Sequence, residues 1–293
     1  MAAFDVLAQL GVEAPPDLAL LRFGENALYA YRDRGLVLRV ARPDTRAEQV
    51  ARTVDFVMRI AARGMEVAEP AAVPGVRQPV VTSTGVVTLW VYYETDTDCR
   101  VTPRELGGLL RHFHDLAISE KDLVEAWEPF ALIRARLDGA RRDGIDQDLV
   151  DPLAALLASL ESRVPDLTSE LGIGVIHGDM HYGNVMCLPG RRLLLIDFDQ
   201  ICRGPLEWDL VPNLVTFRRF EMSDEDYEEF SSAYGYDLRV SPHVGTFIAL
   251  RELGMVTWLL QQYGTSASLD EEIRCRIDSI NEPGARATTW RAR

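Results

Sequence analysis

Two stretches carry the residues best suited to chemistry: HGDMHYGN at 177–184 and LLLIDFD at 193–199. Between them, VMCLPGRR reads as a β-hairpin. It has a strand over 185–188, a four-residue turn over 189–192 and a returning strand over 193–196. An antiparallel pairing centred on Gly190 and Arg191 sets Asn184 opposite Asp197. Directly opposed residues in such a ladder have Cα atoms roughly 4.5–5.5 Å apart. An amide oxygen and a carboxylate side by side are hard ligands suited to Mg2+, which completes its shell with water and substrate phosphates. Asp179, in a loop loosened by Gly178 and Gly183, is placed to accept a proton from a hydroxyl. A base, two metal ligands and in-line positioning are the parts that phosphoryl transfer needs. Read only as turn-forming aspartates, Asp179 and Asp197 leave the apolar LLLI run ending in an acid unexplained. His177 and His181 are spaced as in helical zinc motifs, but the glycines oppose a helix and no HExxH glutamate is present.

HGDMHYGN followed by IDFD resembles the catalytic loop and metal-binding motif of the aminoglycoside phosphotransferase and choline-kinase-like small-molecule kinases, relatives of the protein kinases. The resemblance extends over nearly the whole chain and is strongest over 173–213. It implies a bilobal, protein-kinase-like α+β fold. Residues 1–93 would form a nucleotide-binding lobe, mainly antiparallel sheet with one helix. Residues 94–293 would form a mainly helical lobe carrying the catalytic β-hairpin and the acceptor site. The implied reaction moves the γ-phosphoryl group of ATP or GTP to a hydroxyl of a small molecule, with Mg2+ as cofactor. In that resemblance Asp179 is the base or hydroxyl-orienting group, and Asn184 and Asp197 are the Mg2+ ligands. His177 braces the loop, and Asp209 ties the following helix to it. The position of Asp199 assigns it either to the metal or to the fold.

The elements that must position these groups are legible to different degrees. Residues 20–40 read as two or three strands, with turns at 24–26 and 32–35. A glycine turn can lay backbone N–H groups over phosphates. Gly24 and Asn26 occupy the place where the family carries its nucleotide loop, although a plain hairpin turn has the same composition. Arg39 stands where these kinases carry a phosphate-binding basic residue; the alternative is a surface arginine on an alternating strand. Residues 46–63 read as a helix with Val50, Val54, Val57, Met58 and Ala61 on one face. The family glutamate that pairs with the strand cation has no counterpart here, because Thr53 holds the matching position. Residues 78–81 and 85–93 form another hairpin, whose end carries Trp90 and Tyr92 to the hinge that meets the adenine in the family.

Beyond a polar link at 94–98, Thr102-Pro103-Arg104-Glu105 is a capping box with proline at the first helical position. It opens a helix burying Leu106, Leu109, Leu110 and Phe113. Helices are expected near 121–140, 148–163 and 243–262, with another capped by Ser223. The tail from 281 to 293, polar and small, is expected to be poorly ordered.

The 293 residues suffice for two lobes, and 47% apolar with 26% charged residues is ordinary for a globular protein. The N-terminus lacks a basic and apolar leader, and no apolar run approaches the ~20 residues of a membrane span. Four cysteines without CxxC spacing suit reduced thiols in a cytoplasmic protein. A net charge of −14 argues against nucleic acid or an anionic membrane as partner and is compatible with a cationic substrate. Three readings follow: a kinase inactivating an aminoglycoside-like or other hydroxylated antibiotic, a metabolic kinase for an amino alcohol, sugar or hydroxy amino acid, and a nucleotide-binding pseudokinase. The first is the leading one, and the intact base and metal pair oppose the third.

Overall fold

The computed structural model describes residues 7, 18–23, 26–41, 45–83 and 85–291. These fall into two compact units. One comprises residues 1–101, 115–124 and 182–201, and the other 102–114, 125–181 and 202–293. Sequence order suggests a break at 93/94, but the hairpin at 182–201 clusters with the first unit. The cause is backbone bonding: Leu195 N–H donates to Glu66 at 3.0 Å, Ala68 N–H to Leu195 at 3.1 Å, and Asp96 N–H to Cys187 at 2.9 Å.

Among the described residues the first unit is built on a five-stranded antiparallel sheet in the order β1-β2-β3-β5-β4. Its strands are β1 (Ala19–Phe23), β2 (Ala27–Tyr31), β3 (Leu36–Val40), β4 (Val80–Thr82) and β5 (Gly85–Val91). The β-branched and aromatic content of these segments suits a half-buried pleated surface. Register sets Arg39 opposite Leu28 on one side and Thr88 on the other, with Val37 opposite Trp90. Side chains alternate along a strand, so Arg39, Thr88 and Trp90 share one face, while Leu38 and Leu89 are fully buried on the other.

Helix α1 (Ala47–Ala62) buries Val50, Val54 and Val57 as its spacing indicates, together with Phe56 and Ile60. Met58 is instead 55% exposed. The buried arc is turned toward Phe56, whose ring packs 6.1 Å from that of Phe198. Strands β7 (Val185–Leu188) and β8 (Arg192–Leu195) form the expected hairpin, but with a different register. Leu188 pairs with Arg192 and Val185 with Leu195, so the loop has three residues. Asn184 therefore lies across from Ile196, not Asp197, and its carbonyl accepts from Ile196 N–H at 3.0 Å. Pro189 and Gly190 (φ 78°) occupy the central positions of a type II turn closed by Arg191 N–H on the Leu188 carbonyl. Arg191 follows at φ 63°, and this extra left-handed residue shifts the register by one.

Cys99 and Cys187 form a disulfide within this unit, with Cα atoms 6.1 Å apart; Cys202 and Cys275 are free. The expectation of four reduced thiols is thus overturned. Spacing along the chain could not reveal a pair 88 residues apart that β7 brings together.

The second unit is mainly helical, with β6 (Ile173–Ile176) paired to β9 (Cys202–Pro205). The capping box is in place: Glu105 N–H donates to Thr102 Oγ1 at 3.2 Å and Thr102 N–H to Glu105 Oε2 at 2.8 Å. It opens α2 (Pro103–Ala117), in which Leu106, Leu110 and Phe113 are buried and Leu109 is half-buried. Helix α3 covers only Ala131–Arg142, shorter than expected. Pro129 disfavours helical backbone at the residue before it. Residues 125–127 run along β9 instead, through Arg203 N–H to Glu125 at 2.7 Å and Trp127 N–H to Arg203 at 2.9 Å.

The main core of this unit joins α3, α4 (Gln147–Arg163), α7 (Val244–Leu260) and α8 (Ala267–Ser279). Helix α5 (Val211–Arg219) packs against α7, and α6 (Asp224–Tyr234) packs against α5. Helix α6 is capped by Ser223, whose hydroxyl accepts from Asp226 N–H. The described tail is ordered, contrary to expectation. Trp290 is 1% exposed, with its indole N–H on Ser279 Oγ at 2.9 Å. Buried Arg219 holds Glu252 through two bonds, at 2.6 and 2.9 Å, and lies 4.4 Å from the Trp290 ring centre. Among the described residues no helix is long and apolar enough to cross a membrane.

Candidate active site

Asp179 sits in the second unit at the end of β6, on a loop held from three sides. Asp209, fully buried, accepts from the backbone N–H of His177 at 2.6 Å and of Gly178 at 2.8 Å. The same carboxylate meets His114 Nε2 at 3.0 Å, and His114 Nδ1 meets the Tyr234 hydroxyl at 2.8 Å. Trp208 Nε1 donates to the Gly178 carbonyl at 3.2 Å, and Asn213 Nδ2 to that of Met180 at 3.4 Å. Gly178 adopts φ 87°, a left-handed conformation open to glycine at little steric cost. His177 is fully buried and edge-on to Phe113, which fits a bracing residue. Buried carboxylates in such networks rigidify the backbone they bind.

The Asp179 carboxylate is half-buried between a guanidinium and an imidazole. Arg251 Nη2 on α7 donates to Oδ1 at 2.6 Å, and His181 Nε2 lies 3.4 Å from Oδ2. Burial pushes the Asp179 carboxyl up, but the His181 hydrogen bond and the Arg251 charge outweigh it and hold the group well below its ordinary 3.8. Asp179 is therefore an ionised acceptor at any working pH, a strong orienting group and a weak proton sink. Arg251 escaped the sequence reading because it is 72 residues from Asp179. Its one signal was a charge inside the otherwise apolar VGTFIALRELGMVTWLL, where Glu252 is the only other charge.

The first unit gathers a different group. Asn26, Arg39, Thr53, Trp90 and Asp199, with Gln49 and Val50, line one cleft. Arg39 is largely covered and forms an ion pair with Asp199, to which Asn26 Nδ2 also donates at 3.0 Å. This answers two questions the motif left open. Thr53 does face the cleft with Arg39, its hydroxyl bonded back to the Gln49 carbonyl at 3.2 Å. Asp199, two residues beyond Asp197, supplies the countercharge that a helix glutamate supplies in the resemblance. Trp90 donates its indole N–H to Thr88 Oγ1 at 2.7 Å and lines the cleft.

Tyr92 does not join this group. Its backbone N–H is committed to the Gly35 carbonyl at 2.8 Å, and its hydroxyl accepts from Arg32 Nε at 2.9 Å. A hinge donor must be free to meet a base, so Tyr92 N–H cannot serve while β5 keeps this bond. Gly24 lies outside the described residues.

Asn184 is 4% exposed at the open end of the hairpin. Asp197 is solvent-exposed at φ 67°, ψ 63°, a left-handed conformation uncommon for a residue other than glycine. That backbone breaks the strand alternation immediately after Ile196, so the pleat no longer sets the direction of the Asp197 side chain. Among the described residues no cluster of three or more His, Cys, Asp or Glu is arranged to hold a metal. An amide oxygen and one carboxylate on adjacent rungs fit Mg2+ bound jointly with phosphates, and do not fit a closed zinc site.

The model of the phosphotransferase enzyme family, APH, matches residues 4–243. The homoserine kinase of Sinorhizobium fredii is 35% identical over 119 residues, covering 36% of this chain and 32% of that protein. The chain thus spans about a third of the length of the curated relative it matches. A solved amicoumacin kinase, in complex with AMP-PNP, Ca2+ and Ami, superposes with a TM-score of 0.75 at 18% identity, over 94% of this chain and 92% of that one. A microcompartment-associated aminopropanol kinase superposes at 0.67 and 18% identity, over 95% and 94%. At such identities the likeness is one of fold, and that fold is the α+β protein-kinase-like one, with an antiparallel N-terminal sheet and a helical C-terminal part.

Proposed function

We propose, because this chain belongs to the phosphotransferase enzyme family APH, that it moves the γ-phosphoryl group of ATP or GTP to a hydroxyl of a small molecule. The observation that carries the reading is the Asp179 loop. A carboxylate kept ionised by the His181 hydrogen bond and the Arg251 charge sits on a loop held by a fully buried aspartate on neighbouring backbone. The acceptor oxygen forms a bond to the γ-phosphorus as the bond to the β–γ bridging oxygen breaks. The hydroxyl proton passes to Asp179, and the nucleoside diphosphate leaves. A loose phosphoryl transition state needs the hydroxyl oriented more than deprotonated early, which suits a carboxylate of low basicity.

Arg39, held by Asp199 and Asn26, is the phosphate clamp, and Trp90 offers a face to the base. Asn184 and Asp197 would hold a divalent cation, Mg2+ for choice, which when bound neutralises the charge of the triphosphate. Base, clamp and metal ligands together support catalysis over a pseudokinase role.

For the acceptor, the fold likeness to the amicoumacin kinase supports a hydroxylated antibiotic. The local likeness to homoserine kinase supports a hydroxy amino acid. Arg251 beside Asp179 favours the second, since a polycationic aminoglycoside would bring like charge to a guanidinium. Nucleotide use supports a cytoplasmic setting, and the Cys99–Cys187 bond is the feature at odds with it.

The test is a nucleotide-consumption screen over hydroxylated antibiotics, amino alcohols, sugars and hydroxy amino acids, with and without EDTA. Metal-dependent diphosphate release with at least one acceptor is expected, and it should be abolished in Asp197→Ala. Full turnover in excess EDTA sinks the metal assignment.

A further inference from the structure

We infer that Arg251 determines acceptor specificity by taking a carboxylate of the acceptor whose hydroxyl Asp179 orients, so that the acceptor is a short hydroxy acid or hydroxy amino acid. This rests on the phosphotransfer reading above and adds to it the acceptor's charge and length.

Helix α7 has only two charged residues. Glu252 is fully buried and consumed by Arg218 at 3.2 Å and Arg219 at 2.6 Å. Among the described residues Arg251 meets only Asp179, through Nη2. A guanidinium presents five donors in a rigid fork suited to bidentate carboxylate recognition. Here one nitrogen is engaged, and Nε is buried with no acceptor among the described residues. Leaving a buried donor unmet carries a desolvation penalty, and the side chain as a whole is 19% exposed, so it is not sealed from a ligand.

Charge and length point the same way. An ammonium placed against Arg251 would meet like charge, whereas a carboxylate there meets a guanidinium. A hydroxyl bonded to Asp179 and a carboxylate bonded to the remaining donors of Arg251 stand roughly 4–6 Å apart, allowing a hydrogen bond of about 2.8 Å at each end. Two or three carbons bridge that gap. Ile248 and Met255, one turn to either side of Arg251 and half-buried, offer apolar contact to the spacer.

The test uses the full chain and acceptor pairs that differ in the carboxylate: L-serine with ethanolamine, L-threonine with threoninol, and γ-hydroxybutyrate with its matching diol. Diphosphate release and calorimetric binding in the presence of a magnesium-nucleotide analogue are read for each. Wild type should favour the carboxylated member of at least one pair by about 10-fold or more in kcat/KM. Arg251→Gln should raise KM for that member by about 10- to 10²-fold, at least about ten-fold more than it raises KM for the partner lacking the carboxylate. Arg251→Lys should recover part of the loss. A merely structural arginine would lower kcat for both members by a common factor and leave no such split. The idea is overturned if wild type prefers the member lacking the carboxylate in every pair, or if Arg251→Gln raises both KM values alike. It is overturned equally if no carboxylated acceptor binds or turns over while nucleotide still binds; absence of nucleotide binding as well would take the phosphotransfer reading down with it. Should the variants fail to fold, the wild-type preference alone decides.

Discussion

Replacing Asp199 with asparagine keeps the shape of the side chain and deletes the charge that Arg39 faces. The pair is 14% and 29% exposed at its two side chains, between a surface bridge and a buried one. Surface pairs contribute about 0–1 kcal/mol and hydrogen bonds to charged groups about 1.5–3 kcal/mol, so about 1–2 kcal/mol is the reasonable range. If the pair holds the guanidinium over the phosphates, Asp199→Asn lowers kcat/KM for nucleotide about 5- to 30-fold and leaves KM for the acceptor nearly unchanged. Thr53 lines the same cleft, so Thr53→Glu adds a carboxylate to the cleft that holds Arg39. In wild type, where Arg39 is already satisfied, Thr53→Glu should do little or harm slightly through repulsion with Asp199. In the Asp199→Asn background it should restore a measurable part of the loss. The assay is steady-state kinetics with nucleotide varied over the four members of the cycle, each checked for folding by thermal melting. A coupling energy of zero, with Thr53→Glu acting alike in both backgrounds, refutes the claim that Asp199 replaces the missing helix glutamate.

Asp179→Asn should cut turnover by at least about 10² with nucleotide affinity nearly unchanged in calorimetry; a variant within a few-fold of wild type would place the hydroxyl-orienting group elsewhere. The Asp179 carboxyl is held below its ordinary value, so its share of stability is complete above the unfolded-state value and is lost only as pH falls through the lower, folded one. Turnover should therefore show no acid limb from Asp179 between pH 7 and about 4, and Arg251→Ala should introduce one by raising that group. Thiol titration of the denatured, unreduced protein should count two groups, Cys202 and Cys275, rising to four after reduction. Four thiols at the outset would remove the Cys99–Cys187 bond. Its loss should lower the melting temperature, since a cross-link of this kind contributes roughly 2–4 kcal/mol.

The sequence alone determined the features that depend on neighbours along the chain. The hairpin of β7 and β8, the capping box at Thr102 and Glu105, the Ser223 cap and helix α1 all follow from local propensity and turn chemistry. The order HGDMHYGN–IDFD likewise identified Asp179, Asn184 and Asp197 as candidates without any coordinates. Tertiary structure decided whatever joins distant residues or hangs on one backbone angle. The left-handed Arg191 moved the hairpin register by one, a choice that composition does not specify for a non-glycine residue. Asp199 became the partner of Arg39 across 160 residues, and Arg251 that of Asp179 across 72. Cys99 found Cys187 through the docking of β7, and Trp290 was buried because Arg219 and Ser279 were waiting for it. Periodicity reports which face of an element is apolar. Long-range ion pairs, disulfides and docked tails leave no period in the sequence, because their geometry exists only once the chain has folded.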